Sequence, residues 1–220
     1  MKLIIKYNLI AFLLFSIAGC VGDSTLNSSI ITTFPVINIL GDNPLYINKG
    51  DDFTDPGAEA FIGEDNVEVT TSGSVDPNTA DIYKITYTVV NKEDFSASKS
   101  RIVVVMDTEL SAYNLEGVWA RSNGIPNNIT QISDRKYVAD NMGGAFPPGD
   151  PDNMVVEFYN VNDSQLFIPF QENVSPSGIS VSGLDDGYCP DCLIIGPDNI
   201  QWALSASDAY GNFVRVFERQ

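Results

Sequence analysis

The sequence predicts an all-β fold of two small domains, an N-terminal β-sandwich and a second small antiparallel β-sandwich or barrel. Three observations carry that prediction. Short runs of β-branched and aromatic residues recur between turn clusters after residue 34. One of them, "IYKITYTVV", alternates with period two, so that Tyr83, Ile85, Tyr87 and Val89 face one side and Lys84, Thr86 and Thr88 the other, as in a half-buried strand. Beyond residue 112, no apolar stripe of helical spacing and useful length appears. An apolar content of 44% is ordinary for chains that bury a core.

Residues 1–19 stand apart from that fold. Lys2 and Lys6 flank the start of the apolar run "LIAFLLFSIAG", which is shorter than the roughly 20 residues a bilayer span needs. It therefore reads as an export signal peptide. Its end, Ile17-Ala18-Gly19-Cys20, resembles the bacterial lipobox, which implies cleavage before Cys20 and acylation of that cysteine. Residues 20–34, including the Ser/Thr/Asn-rich "VGDSTLNSSIITTF", form a tether that reaches about 20 Å as a relaxed coil. Cleavage removes two lysines and no acid, so the formal charge moves from −17 to −19. Such a charge excludes nucleic acid as a natural partner, because binding it requires Lys and Arg to displace phosphate counterions. It also opposes adsorption to anionic headgroups, leaving the acyl chains as the membrane attachment.

The first domain is expected over residues 35–106, where "PVINIL", "PLYINKG", "AEAFI", "VEVTTSG", "DIYKITYTVVN" and "SKSRIVVVM" are the strand candidates. The stretches "PVINILGDNPLYINKGDDFTDPGAEA", "VTTSGSVDPNTADIYKITYTVVN" and "ASKSRIVVV" resemble the bacterial Ig-like module of the pesticidal-crystal-protein type. That resemblance implies an Ig-like β-sandwich serving as a spacer or adhesive domain and not as an enzyme. Ala80-Asp81 stands where the family has a Gly before its Tyr-containing strand, which alters that turn. In Asp55-Pro56-Gly57, Pro presets one turn dihedral and Gly tolerates positive φ. "GEDN" lacks the alternating carboxylates of a calcium loop, so these acids read as a solvated loop.

After the joint "DTELSA" at 107–112, the second domain is expected over residues 110–220. Its strand candidates are "LEGVWARS", "ITQISDRKYVADNMGGAF", "MVVEFYNV", "QLFIPFQ", "ISVSGL", "CLII", "IQWALSAS" and "NFVRVFE". Gly117-Val118-Trp119 and "RKYVADNMGGAF" are similar to the C-terminal domain of a Bacteroidetes-type surface lipoprotein family that pairs one Ig-like module with one small β domain. The resemblance implies a lipid-anchored protein of the outer membrane, at the cell surface.

The chain has no histidine, which removes the commonest general base, the usual zinc nitrogen ligand and every Ser-His or Cys-His nucleophile. No nucleophile elbow, phosphate loop or metal triad appears. Paired carboxylates could be drawn from Asp140, Glu157 and Asp186, but nothing in the sequence encloses them as glycosidase chemistry requires. The expectation is a non-enzyme without cofactor or metal. In Cys189-Pro190-Asp191-Cys192, a redox pair would need a following helix, and zinc would need Asp185, Asp186 or Asp191 to complete its ligands. A β-turn with Pro second brings its ends within about 7 Å, which suits a disulfide between Cys189 and Cys192 better than either.

Trp202 lies on the apolar side of "IQWALSAS", and Trp119 follows a strand-opening Gly, so both are expected in the core. The loop aromatics Tyr188, Tyr210 and Phe146, with Asp186, are the ligand candidates, because sugar rings stack on aromatics while acids bind their hydroxyls. The expected function is glycan binding at the cell surface through the C-terminal domain, with the Ig-like domain as spacer, by analogy with starch-utilisation lipoproteins that share this arrangement. The alternative is a structural or protein-binding accessory subunit of an outer-membrane protein complex, docking a basic partner through its acidic surface.

Overall fold

A computed structural model describes residues 32–184, 187–206 and 211–220. The signal peptide, Cys20, most of the tether, Asp185, Asp186 and Tyr210 lie outside the described residues. The secondary structure that is described consists of β-strands alone. Among the described residues, no helix is long and apolar enough to cross a membrane.

In the Ig-like domain, β1 (Pro35–Ile39), β3 (Ala58–Ile62) and β4 (Asp65–Val67) form one sheet. A second sheet has the order β2 (Leu45–Asn48), β7 (Ser96–Met106), β6 (Asp81–Val90) and β5 (Thr70–Ser72). Pairing is antiparallel except between β2 and β7, where Leu45 stands beside Val103 in parallel register. "VEVTTSG", a single strand candidate in the sequence, divides at Glu68-Val69, its first half pairing with β3 and its second with β6. The core between the sheets holds Ile37, Ala60, Ile85, Tyr87, Val89, Val103 and Val105. Phe34, at the end of the expected tether, packs edge-on against Phe95.

The "DPGA" loop is an anchor and not a solvated turn. Arg101, fully buried on β7, ion-pairs with Asp55 at 3.2 Å. Its guanidinium also donates to the carbonyls of Gly57, Leu40 and Asp42. Tyr87 donates to Asp55 Oδ1 at 2.7 Å and accepts from Arg101 Nε. A buried guanidinium needs partners for its donors, and the loop carbonyls supply them.

The second domain is a nearly closed barrel. Its strands are β8 (Gly117–Ala120), β9 (Pro126–Ser133), β10 (Lys136–Ala139), β11 (Val156–Asn160), β12 (Leu166–Phe167), β13 (Ser182–Gly183), β14 (Leu193–Gly196), β15 (Asn199–Ser205) and β16 (Val214–Arg219). They run in the order β12-β11-β10-β9-β8-β16-β15-β13, with β14 also paired to β15. The ends meet through a Gln165–Leu193 bridge and through hydrogen bonds from Leu166 N to Cys192 O and from Ile194 N to Ser164 O, both 2.8 Å. Closure removes the free edges that an open sheet would expose. Trp119 and Trp202 fill the interior with Tyr137, Phe158 and Phe217. Their indoles donate to Leu115 O (2.9 Å) and Met142 O (2.8 Å), as buried indoles require.

The two domains meet over an apolar seam and form part of one unit from Phe34 to Gln220. Ile82, Ile102 and Val104 of the Ig-like domain bury against Val161 and Phe167 of the barrel, flanked by Met106 and Tyr159. Tyr46 contributes its ring, 5.3 Å from that of Tyr159 and 6.0 Å from that of Phe167. Asn162 Nδ2 donates to Ala80 O at 2.8 Å, using the turn where the sequence departs from the family's Gly. The joint itself is clasped. Arg135 donates twice to Glu109 O and reaches Asp163 at 2.9 Å, while Ser111 Oγ and Ala112 N donate to the same carboxylate.

Candidate functional site

The connection between β10 and β11, residues 140–155, is far longer than the roughly two to five residues of an ordinary hairpin. Long ordered loops of this kind commonly carry function. Gly144 lets this one start: its φ is +55°, and an added Cβ would lie 2.7 Å from the Phe217 ring. The loop then folds back on itself, Met142 N donating to Met154 O and Asn153 N to Asp150 O. Val155 N bonds Val174 O and Ser177 N bonds Pro151 O, which brings the 174–178 turn alongside.

Between these segments lies a cleft of about 290 Å³ lined by Pro126, Asp140, Asn141, Pro148, Gly149, Asp150, Asn153, Val155 and Pro176. Asn141 is 2% exposed and Asn153 8%. Asn141 Nδ2 donates to Pro126 O and Phe146 O, both at 3.0 Å, and Asn153 Nδ2 donates to Pro147 O at 2.7 Å. These bonds determine which way each amide faces, since turning one over would set its oxygen against a carbonyl. The two Oδ1 atoms are then left buried with no hydrogen-bond partner in the protein. Buried acceptors without donors are rare and costly, and these two have almost no accessible surface, so a ligand in the cleft does not reach them as they stand.

The neighbouring carboxylates are already engaged. Asp140 accepts from Asn128 N (2.7 Å) and Asn128 Nδ2 (2.6 Å), and Asp150 Oδ1 accepts from Asp152 N (2.9 Å). Glu157 lies outside the cleft lining and pairs with Lys136 at 2.8 Å, a bond that raises the lysine's pKa.

A larger groove of about 360 Å³ opens on the Ig-like domain, lined by Ile39, Asn43, Lys84, Ser98, Lys99, Ser100 and Ile102. Three of its polar side chains, Asn43, Ser98 and Ser100, find partners within the protein. Asn43 bonds Ser100 O and Ile102 N, and the hydroxyls of Ser98 and Ser100 pair with those of Thr88 and Thr86. The barrel cleft lies on the long ordered connection between β10 and β11 and is the better site on that ground, despite its smaller volume.

The sequence-derived candidates are dispersed. Phe146 borders the cleft through its carbonyl, while its half-buried ring packs against the barrel core. Tyr188 stands at the domain seam, its ring centroid 6.0 Å from Lys84 Nζ of the Ig-like domain. Asp186, Tyr210 and Cys20 lie outside the described residues. Cys189 and Cys192 are joined in a disulfide with Cα atoms 5.3 Å apart, and Cys192 N donates to Cys189 O across the turn. The pair is buried in the barrel core and does more than staple an exposed loop. Asn141 and Asn153 were not evident from spacing. Their signal was the repeated Asn-Met pair at either end of the Gly/Pro-rich "GGAFPPGDPD".

Comparison with known proteins adds the following. No curated protein matches the chain. The crystal structure of the lipoprotein BT2262 from Bacteroides thetaiotaomicron is 22% identical over 85% of this chain and 100% of its own, with a TM-score of 0.37. The M60 catalytic domain with the CBM51-1 and CBM51-2 domains from Clostridium perfringens ZmpB is 12% identical over 85% of this chain and 21% of its own, with a TM-score of 0.29. Residues 37–105 match the family model described as bacterial surface protein, Ig-like domain, and the two-sheet sandwich with its parallel β2–β7 pair is that domain.

Proposed function

We propose that this chain is a non-catalytic surface lipoprotein of the outer membrane, acylated at Cys20, whose barrel binds glycan in the 140–155 cleft while the Ig-like domain serves as spacer. The observation that supports the binding site most directly is a cleft on the long 140–155 connection whose lining combines the apolar surfaces of Pro126, Pro148, Val155 and Pro176 with the carboxylates of Asp140 and Asp150. Sugar hydroxyls donate hydrogen bonds that carboxylates accept, and the apolar lining offers surface for a sugar's C–H face.

Affinity electrophoresis of the mature chain, residues 20–220, through gels containing different polysaccharides tests this reading. Retardation by at least one polysaccharide is expected, and Pro148→Trp, on an exposed loop residue, should abolish it with the circular dichroism unchanged. Retardation that survives Pro148→Trp would move the site elsewhere. If no polysaccharide retards the chain and a salt-sensitive protein partner is captured instead, the accessory-subunit reading replaces this one, since an attraction to the acidic surface weakens steeply with salt.

A further inference from the structure

We infer that the Ig-like domain takes up an extended acidic segment of a partner protein, which pairs as an added strand with the open first half of β7. The inference goes beyond the glycan reading and does not depend on it. β2 covers β7 only from Val103 to Met106, whereas β6 pairs with it from Ser96 to Val105. In an antiparallel ladder, alternate residues turn both backbone groups away from the partner strand. Ile102 N donates to Asn43 Oδ1 (2.9 Å) and Ser100 O accepts from Asn43 Nδ2 (3.0 Å), so Ile102, Ser100, Ser98 and Ser96 are the residues that face away from β6. Asn43 closes one end of that edge. Among the described residues, no hydrogen bond reaches the outward N–H of Ser100 or the outward N–H and C=O of Ser98 and Ser96.

The groove on the Ig-like domain runs beside this edge, since Ser98, Lys99 and Ser100 line it together with Lys84. Consecutive strand residues point to opposite faces, so Lys99 lies on the face of Tyr87, its register partner, and Lys84 lies with Ile102 on the other. An added strand alternates in the same way, and can present a carboxylate to each lysine. Main-chain hydrogen bonds then supply affinity and the two cations supply the choice of partner. Lysines also blunt a free edge against self-pairing. A second copy would bring its own Lys84 and Lys99 to this pair, and a basic segment would be repelled likewise, whereas an acidic segment meets charge of opposite sign.

The test is fluorescence anisotropy on the mature chain at low salt with three short labelled peptides: alternating Thr-Glu, alternating Thr-Lys, and the Thr-Glu peptide N-methylated throughout, which keeps the charge and loses every backbone donor. The expected result is saturable binding of the Thr-Glu peptide and at least tenfold weaker binding of the other two. Ser98→Pro removes an outward N–H that the β6 ladder does not use and should abolish binding, while Ser98→Ala, which loses only the hydroxyl, should bind as wild type. Lys99→Glu, at an exposed position, should weaken binding severalfold. Circular dichroism confirms folding of each variant. Equal binding of the N-methylated peptide, or binding that survives Ser98→Pro, would overturn the inference in favour of plain charge attraction. Dimerisation of the chain that is lost in Ser98→Pro would overturn it in favour of a second copy at the edge. Absence of saturable binding by the Thr-Glu peptide would overturn it outright, and none of these outcomes bears on the glycan reading.

Discussion

At the residue scale, the consequential side chains are buried polar groups that bind one segment to another. Arg101 holds the "DPGA" loop through Asp55 and the Gly57 carbonyl, and the β1–β2 connection through the carbonyls of Leu40 and Asp42. Removing one partner of a buried pair leaves a charge stranded, which costs about 3–5 kcal/mol. Asp55→Ala should fall near the low end of that range in urea titration, because the carbonyls and Tyr87 still take guanidinium donors. Asp163 plays the matching part at the joint. Burial alone would raise its pKa, but bonds from Ala112 N, Ser111, Asn160 and Arg135 outweigh it and hold the carboxyl below its ordinary value. A carboxyl depressed in the folded state adds stability above its unfolded pKa of about 3.9 and loses it as pH falls through the folded value. Asp163→Asn should therefore be clearly less stable than wild type at neutral pH. The gap should narrow as pH falls below about 4, read from thermal midpoints across a pH series.

At the element scale, β7 faces two cores, and the Cys189–Cys192 turn reaches into one. Arg101, Ile102, Val103, Val104 and Val105 are all buried, because Val103 and Val105 face the sandwich core while Ile102 and Val104 face the barrel. The run "RIVVV" is legible in the sequence as a strand, and its lack of alternation is what double-sided burial produces. The cysteine pair belongs to the core cluster of Trp202 and Phe217. Closing so short a loop contributes about 2 kcal/mol on chain entropy, and a buried hydroxyl without a partner costs roughly 1–3 kcal/mol. Replacing both cysteines with Ser should thus lose more stability than the loop term alone, whereas Cys→Ala in both positions should lie closer to it. Equal urea midpoints for the Ser and Ala pairs would show that the turn tolerates polar groups and is not part of a dry core.

At the scale of the whole molecule, the spacer and the barrel are coupled. Val161 and Phe167 are fully buried at the seam, and deleting residues 35–105 would expose them to water. The barrel alone, residues 110–220, is expected to be markedly less stable than the two-domain chain. Phe167→Ala in the full chain should cost about 3–5 kcal/mol as a large core truncation. An isolated barrel with the full chain's melting temperature would show that the seam contributes nothing. The membrane address is a separate matter. Cys20→Ala should abolish incorporation of labelled fatty acid and release the protein from outer-membrane fractions, and protease shaving of whole cells should cleave the wild-type chain at the surface.

Much of the architecture follows from short-range pattern. Alternation in "IYKITYTVV", turn clusters between β-branched runs, and the apolar sides of the Trp119 and Trp202 strands depend on neighbours two residues apart, so the all-β class and the core position of both tryptophans can be read from the sequence, while the Ig-like domain is legible through the resemblance of its longer stretches to that module. The disulfide was legible for the same reason, its partners being three residues apart. Other features depended on pairings that no local pattern specifies. Barrel closure needs residue 165 to meet residue 193. Asp55 gains its role from Arg101, and Ala80 from Asn162. The cleft arises only when segments around residues 126, 140–155 and 176 converge, with backbone carbonyls taking up both amide nitrogens and leaving the oxygens bare. Aromatic loop residues were the visible candidates because composition displays them, whereas an unsatisfied acceptor is a property of three-dimensional surroundings. Residue types and their periodicity determined what the chain could bury, and the tertiary structure decided which buried polar atoms were left without a partner.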